Sequence, residues 1–580
     1  MNFSKITAGQ KQFILIIIFF SIIRIYMGQF LNNWLFVPSP YDDMLLINHS
    51  NLYTHFMEWN IQSLTKNMVY PLLINLVNIT GISYKLTISL IWILSGLLAV
   101  FGINRFISKN KIILILTYLF IIFLPIAFDS MGGTRIYRNS ILAPFAIISL
   151  ITLYIFINTA TGKDKNNKKI LLWGIISGLF FTLNFYIKED GIIFLPIFLT
   201  CIIVTLAYNL LNGIKNRAAW KKSTKIIILT IIPLLLFGAS TLCYKEVNNH
   251  YFGINEINDR TEGEFAEFWH NLLIIEDNEK STKLWVGTST LNQAWSASPT
   301  LQKHPELLND ILHNGWVNES LEKTPLAGDL ISWSIRDSMH NVGLFDSEKE
   351  NSNFLKQVND ELKMAFENGT LKKTDKIFIS SSANGKSTNE IIGMKLYIIE
   401  AIKSSIFYTY ISNDIVRDNA SSHVTDNNVI KLVEHTLNDD LINTNETTGD
   451  LFKEIIPKEL VNIDIVIYQI ISYFIVLLSA LSFAGLIIFQ MKNHFKSKDM
   501  NTLLGFEILV LGTYLVQIFG ISWFCSWLDL NTLYFYITPC HGVFAVFEIL
   551  SISGGYVILK NSGFLNKYKK NSDSNKIPEN

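Results

Sequence analysis

The sequence predicts an all-α polytopic membrane protein with about ten transmembrane helices and one large polar domain. The chain has 580 residues, of which only 17% are charged, and its mean hydropathy is +0.30. This composition is too apolar for a soluble multidomain enzyme. Ten stretches are apolar enough, over the roughly 20 residues that a bilayer core requires, to be read as transmembrane spans. They leave one long polar segment between the seventh stretch and the eighth.

Short connections separate most of the predicted spans. In chain order the spans cover residues 12–30, 84–104, 112–128, 139–158, 170–187, 192–211, 226–244, 463–490, 503–525 and 536–559. Lys and Arg residues concentrate in the connections on the side of the N-terminus, and basic connections stay in the cytoplasm. We therefore expect a multi-pass plasma-membrane protein with cytoplasmic termini and an extracellular polar domain.

The formal net charge of zero conceals two regions of opposite charge. Residues 246–462 contain 19 Lys and Arg residues and 34 Asp and Glu residues, a net charge of −15. The rest of the chain has a net charge of +15 and contains nearly all the long apolar runs. The large polar region therefore has the wrong sign of charge to bind nucleic-acid phosphates, and no nucleic-acid partner is expected.

The span boundaries divide the chain into four predicted parts. These are a seven-span module at 1–244, an acidic and mainly helical domain at 245–462, a three-span module at 463–560 and a basic cytoplasmic tail at 561–580. The first outer connection, residues 31–83, is too apolar to be a free linker. Within it, residues 44–64 and 68–79 have the pattern of helices that lie on a membrane surface.

The polar domain has helical apolar periodicity and is rich in aromatic residues. Five tryptophans occur in its first part: Trp269, Trp285, Trp295, Trp316 and Trp333. Tryptophans in such a domain either form its core or stack on the sugars of an acceptor, and the sequence leaves both readings open. The four cysteines of the chain all lie in or beside apolar runs, so no disulfide framework or zinc site is expected in this domain.

Acidic residues at the outer ends of spans are the first candidates for chemistry, because charges at membrane depth are costly and usually functional or paired. Asp42 and Asp43 follow the first span, and Glu189 and Asp190 follow the fifth. All four are predicted on the same side of the membrane. We interpret them as candidate catalytic carboxylates that remove the proton from an acceptor hydroxyl. Asp42 and Asp43 are also candidate ligands of Mg²⁺ or Mn²⁺, which prefer oxygen.

The same side of the membrane carries three candidate phosphate-binding cations, Arg135, Arg138 and Lys188. Arginine binds phosphate in bidentate fashion, and lysine binds it as a point charge. Carboxylates and cations together at an outer membrane surface suit a lipid-linked sugar phosphate as substrate. Each feature also has a purely structural interpretation: Ser39 and Pro40 with the following acids as a helix cap, residues 188–191 as a polar turn, and the arginines as lipid anchors.

These features together resemble the GT-C superfamily of integral membrane glycosyltransferases. The resemblance rests on the acidic pair Asp42-Asp43 in the first outer connection, the surface helices after it, seven consecutive spans and a C-terminal part with its own outer domain. It covers residues 1 to about 244. The segments 132–139 and 186–191 are similar to those of uncharacterised membrane proteins of low-GC Gram-positive bacteria associated with surface-polysaccharide synthesis.

The resemblance implies transfer of a sugar from a polyprenyl phosphate or diphosphate donor to a glycan, lipid or protein on the outer face. It implies that Asp42 or Asp43 is the general base or a metal ligand, so Asp42→Asn and Asp43→Asn are each expected to abolish transfer. The alternatives are a polysaccharide polymerase or ligase, a flippase or other transporter of lipid-linked glycans, and a non-catalytic scaffold or sensor. Membrane lipids are expected partners in every case.

Overall fold

The computed structural model describes residues 7–31, 33–35, 42–52, 59–162, 166–215, 220–314, 316, 326–411, 426–440 and 450–562. These residues form helices and turns and contain no β-strand, only isolated β-bridges. The all-α fold class is therefore confirmed. Ser39, Pro40 and most of the basic tail predicted at 561–580 lie outside the described residues.

The N-terminal half contains ten α-helices. They are α1 (Ala8–Gln29), α2 (Asp42–Leu52), α3 (Val69–Thr80), α4 (Tyr84–Phe106), α5 (Lys111–Ile122), α6 (Asn139–Thr161), α7 (Asn167–Phe185), α8 (Leu195–Lys215), α9 (Trp220–Thr230) and α10 (Ile232–Phe252). Short 3₁₀ helices cover Pro125–Ala127 and Glu189–Phe194. Helix α10 passes the predicted boundary at 244 by two turns and carries the chain into the polar domain.

The remaining helices belong to the polar domain and the C-terminal spans. They are α11 (Gly263–Ile274), α12 (Thr288–Ala297), α13 (Pro299–Gln302), α14 (Pro305–His313), α15 (Leu330–Asn341), α16 (Glu348–Glu367), α17 (Thr388–Gly393), α18 (Lys395–Phe407), α19 (Asn427–Leu437), α20 (Ile456–Lys492), α21 (Lys498–Cys525), α22 (Leu530–Tyr536) and α23 (Thr538–Asn561).

Nine helical segments of the described chain are long and apolar enough to cross a membrane, which agrees with a multi-pass membrane protein. The exception among the ten predicted spans is residues 112–128. Helix α5 has only 12 residues there and is about 18 Å long at 1.5 Å per residue, which is short of the roughly 30 Å bilayer core. It ends because Pro125 disfavours a helical conformation at the preceding residue, and Leu124 has an extended ψ of 127°.

The first outer connection contains two separate helices, α2 and α3. The helix predicted at 44–64 does not reach its expected end, because residues 61–64 form turns. Helix α2 is described as far as Leu52, and residues 53–58 lie outside the described residues. Helix α3 matches the prediction at 68–79. It buries Tyr70 and Ile74 and exposes Leu76 and Ile79, the two-sided apolar pattern of a helix that lies between a protein core and lipid.

Helix α6 is the centre of the bundle, since all 23 of its residues are buried. It divides the membrane part into two ends. We call the end that contains Asp42, Arg138 and Glu189 the polar end, and the end that contains Thr161 and Lys498 the opposite end. The polar domain is attached at the polar end through α10 and α20.

The polar domain has a hydrophobic core distinct from that of the membrane helices, and it includes Trp269, Trp285 and Trp295, all at most 5% exposed. Trp523 and Trp527 of the C-terminal part also belong to this core. Trp316 and Trp333 are partly buried. Three of the five tryptophans are therefore core residues. Helices α18 and α19 pack instead on the membrane helices, through Ala401 and Val433 among others, although they fall inside the predicted domain boundaries.

A buried ion pair of the polar domain holds the first outer connection through hydrogen bonds to its backbone. Arg336 on α15 and Asp259 are 1% and 3% exposed, and the Arg336 guanidinium donates to Asp259 Oδ2. Arg336 also donates to the backbone oxygen of Ile61 at 2.6 Å. The backbone N–H of Asp259 donates to the backbone oxygen of Leu64 at 3.1 Å. Residues 59–68 are thus held between the polar domain and the membrane helices.

Two acids beside this ion pair make the stability of the junction depend on pH. Burial and the charge of Asp259 raise the pKa of Glu256 to about 8. The same two causes raise the pKa of Glu348, in that order, against the attraction of Arg336. The unfolded chain ionises both carboxyls near pH 4.5. Their contribution to the free energy of unfolding is therefore most favourable below pH 4.5 and is lost as the pH rises toward 8.

We expect the double variant Glu256→Gln, Glu348→Gln to raise the melting temperature by at least about 3 °C at pH 8 and to change it little at pH 5. Glutamine cannot ionise, and its oxygen can still accept the hydrogen bond that Trp59 Nε1 donates to Glu348 at 3.3 Å. Thermal unfolding in detergent between pH 5 and 8 measures the effect, with exposed Glu350→Gln as the control. Identical pH profiles for the double variant and the wild type would contradict the prediction.

Candidate functional site

Two segments pair at the polar end and form the frame of the site. Residues 33–35 pair with the loop 129–138: the backbone N–H of Trp34 donates to Thr134 O at 3.2 Å, and that of Ile136 donates to Trp34 O at 2.9 Å. The loop passes so close to the preceding turn that a Cβ on Gly133 would lie 2.2 Å from Ala127 O. A glycine is therefore required at this position, and the loop presents Arg135 and Arg138 to the site.

Asp129 stabilises the same loop by accepting hydrogen bonds from its backbone. Its Oδ2 accepts the backbone N–H groups of Met131 and Gly132, each at 3.0 Å. The side chain is 1% exposed, and burial raises its pKa to about 6 against the effect of these N–H groups. Asp129 thus closes the turn that precedes the two arginines.

Asp43 and Arg135 form a sealed bidentate pair. Arg135 Nε donates to Asp43 Oδ2 at 2.9 Å, and Arg135 Nη2 donates to Asp43 Oδ1 at 2.6 Å. The Asp43 side chain is 0% exposed and that of Arg135 12%. The guanidinium also lies over the rings of Tyr137 and Phe535, with Cζ 5.0 and 4.8 Å from their centroids. Both carboxylate oxygens of Asp43 are therefore occupied by one buried cation.

Asp42 has a different environment, although it is the adjacent residue. Its Oδ2 accepts from Lys66 Nζ at 2.7 Å and from the hydroxyl of Tyr137 at 2.9 Å. Its Oδ1 makes no hydrogen bond with any residue that the structure describes, and the side chain is 36% exposed. One oxygen of this carboxylate is anchored, and the other is accessible.

Arg138 continues the hydrogen-bond chain from Tyr137 to Glu189. Its Nη2 donates to the Tyr137 hydroxyl oxygen at 2.9 Å, and its Nη1 donates to Glu189 Oε1 and Oε2 at 2.8 and 2.9 Å. Asn258 from the polar domain donates to Glu189 Oε1 at 3.2 Å. The polar domain therefore contributes one residue, Asn258, to the site.

Lys188 is a cation without a salt bridge or hydrogen bond among the described residues. It is 6% exposed, and its Nζ lies 5.3 Å from the ring centroid of Phe535 and 4.6 Å from that of Tyr536. Burial lowers the pKa of Lys188, against the attraction of Asp190. Phe535 contacts both Lys188 and Arg135, so the end of α22 lies between the two cations.

The charges of the site keep Asp42 ionised. Burial alone would raise the pKa of Asp42, but the ammonium of Lys66 and then the guanidinium of Arg138 hold it well below its usual range. Burial lowers the pKa of Lys66 to about 8, against the attraction of Asp42. At neutral pH this partly exposed carboxylate is therefore an anion that can accept a hydrogen bond from a substrate hydroxyl or stabilise a developing positive charge.

The donor set does not favour the expected Mg²⁺ or Mn²⁺ ion. Both oxygens of Asp43 bind Arg135, and one oxygen of Asp42 binds Lys66 and Tyr137. Among the residues that the structure describes, no three His, Cys, Asp or Glu side chains are grouped to hold a metal ion. We therefore assign no chemical step to a metal.

All seven residues predicted from the sequence lie at the polar end, and six of them are linked by the hydrogen bonds and ring contacts described above. The seventh, Asp190, is half-buried beside Lys188. Their chemical roles stay predictions. Sequence reasoning missed Lys66, Tyr137, Asn258 and the pair Phe535-Tyr536. Of these residues, only Tyr137 could have been selected as a site candidate from the sequence, because it stands between the two arginines.

Comparisons of the chain with known protein families, with curated proteins and with solved structures find no match. The functional proposal therefore depends on the geometry of the polar end.

Proposed function

We propose that this protein is a membrane glycosyltransferase that moves a sugar from a polyprenyl phosphate or diphosphate donor to a hydroxyl of a glycan, lipid or protein acceptor. The observation that carries the proposal is the carboxylate of Asp42. It is ionised and 36% exposed, and Lys66 and Tyr137 orient it by one oxygen. The other oxygen is available to a substrate hydroxyl, which is the geometry that a general base requires.

In the proposed reaction the acceptor oxygen bonds to the anomeric carbon of the donor sugar as the bond from that carbon to the phosphate oxygen breaks. The hydroxyl proton passes to Asp42 Oδ1. The electron pair of the broken bond leaves with the polyprenyl phosphate or diphosphate. Lys188, which has no ion-pair partner among the described residues, and Arg138 supply positive charge that stabilises this leaving group.

The surroundings of the site suit a donor with a lipid tail. Helix α3 presents Leu72, Leu76 and Ile79 outward, with 48%, 55% and 72% of their surface exposed. Such a face on a short helix beside a transmembrane bundle is typical of contact with lipid. A donor that enters from the bilayer would therefore reach the polar end without leaving the membrane. A polymerase or ligase would use the same chemistry and would differ in the length of its product.

A transport function is the second candidate, because two acids lie inside the membrane helices. Glu507 on α21 and Glu548 on α23 are 0% and 3% exposed. Glu507 Oε2 accepts a hydrogen bond from Ser551 at 3.3 Å. Acids at membrane depth often mark substrate or proton pathways. A flippase would lose function in Glu548→Gln and keep it in Asp42→Asn, which is the reverse of the transferase prediction.

The test compares lipid-linked intermediates and surface-glycan composition in cells that carry the wild type, a gene deletion or Asp42→Asn, at matched membrane levels of protein. We expect the deletion and Asp42→Asn to lose the same sugar from the surface glycan and to accumulate its polyprenyl donor or the unmodified acceptor. A normal profile in Asp42→Asn beside a defective deletion strain would overturn the transferase proposal. Exposed Asp360→Asn on α16 is the control for loss of one acidic charge.

A further inference from the structure

A cavity lies at the opposite end of the bundle, between α6, α8 and α21. Its volume is about 470 Å³, within the range of roughly 300–1,000 Å³ that is typical of ligand pockets. The wall is mostly apolar and includes Ile157, Val204, Phe506 and Leu509. Polar groups, among them Lys498 and Asn501, occur where α21 begins.

One position of the cavity wall has no side chain. Gly505 lines it, and a Cβ added to Gly505 would have no atom within 4 Å. Val204 on the facing helix is 58% exposed. The groove is therefore open toward the surroundings of the bundle, at a level where α8 and α21 are apolar enough to be membrane spans.

A lysine stands at the mouth of the groove. Lys498 Nζ lies 4.3 Å from the ring centroid of Tyr208, and both residues line the cavity. The ammonium group of Lys498 therefore lies at the end of an apolar groove. This combination matches a molecule with a hydrocarbon chain and an anionic headgroup. Basic pockets between transmembrane helices bind the headgroups of anionic phospholipids.

The groove is separate from the candidate active site. Helix α6 begins directly after Arg138 at the polar end and reaches the groove at Ile157 and Thr161. Its 23 residues correspond to about 34 Å at 1.5 Å per residue. A phosphate at Lys498 is therefore about one membrane thickness from a phosphate at the polar end.

We propose that this groove binds one hydrocarbon chain of an anionic phospholipid, whose phosphate lies at Lys498 in the leaflet opposite the candidate active site. The bound lipid fills the space left by Gly505 and joins α8 to α21. This binding does not depend on the proposed glycosyltransferase function, because none of the groove residues belongs to the polar end.

The test is native mass spectrometry of the full chain released from bilayers that contain equal amounts of phosphatidylglycerol and phosphatidylcholine. We expect the wild type to retain phosphatidylglycerol, and Gly505→Leu to reduce the retained amount at least fivefold by filling the groove. Lys498→Gln should remove most of the preference for the anionic lipid. Retention that is unchanged in Gly505→Leu, or equal retention of the two lipids by the wild type, would overturn the proposal.

A matched control is available on the same helix. Gly512 lies two turns after Gly505, is not part of the groove wall, and would also accept a Cβ without a neighbour within 4 Å. Gly512→Leu therefore makes the same chemical change outside the groove and should retain the lipid. Equal loss of lipid in Gly505→Leu and Gly512→Leu would refute the assignment to this groove.

Discussion

Asp42→Asn is expected to lower the rate of sugar transfer by about 100-fold to 10,000-fold, the range typical of a lost general acid or base. The amide has nearly the shape of the carboxylate but cannot accept the acceptor proton at neutral pH. The measurement is product formation from a polyprenyl-linked sugar by purified protein in detergent or bilayers, expressed per folded molecule. Transfer at the wild-type rate in Asp42→Asn would remove the general-base role.

The variant also leaves Lys66 without its anionic partner, so the stability of the protein must be measured beside its activity. Lys66 is 3% exposed, whereas Asp42 is 36% exposed, and solvent weakens the interaction at the exposed group. The double variant Asp42→Asn, Lys66→Gln also removes the positive charge of Lys66. If it regains stability without regaining activity, the loss of transfer belongs to the carboxylate and not to misfolding.

Asp43→Asn is expected to destabilise the protein by about 3–5 kcal/mol, because removal of one partner leaves a buried charge uncompensated. Arg135 would stay between aromatic rings and would face an amide in place of the carboxylate of Asp43. Thermal unfolding and the yield of folded protein in detergent measure the effect. The double variant Asp43→Leu, Arg135→Leu should recover most of the lost stability, since replacing both partners of a buried pair is often close to neutral.

The comparison of Asp42→Asn with Asp43→Asn distinguishes a catalytic role from a structural role for each aspartate of the pair. The sequence leads to the expectation that Asp42→Asn and Asp43→Asn each abolish transfer. With Asp43 0% exposed and bound by Arg135 through both oxygens, we expect Asp43→Asn to lose activity through loss of folded protein. The surviving folded molecules should keep a transfer rate within about tenfold of the wild type, the equivalent of 1.4 kcal/mol. A stable Asp43→Asn protein without transfer would instead make Asp43 a catalytic residue.

The membrane architecture could be predicted from the sequence because it follows from local composition. A span needs about 20 apolar residues, and that property belongs to each stretch by itself. At residues 112–128 the α-helix is shorter than predicted, because apolarity continues past Ile122 but Pro125 ends the helix. Conformational preference overrode hydropathy at this position. The gathering of acids and cations at one end also follows from the alternation of the spans.

The pairing of these charges was decided by the tertiary structure. Asp42 and Asp43 are neighbours with the same chemistry, yet one is accessible and the other sealed, because successive residues of α2 point in different directions. Lys66, Asn258 and Tyr536 come from segments hundreds of residues apart and carry no motif. The sequence by itself determined a multi-pass helical protein with a charged rim. Which carboxylate a substrate can reach depends on packing between distant segments, and that information exists only in the folded chain.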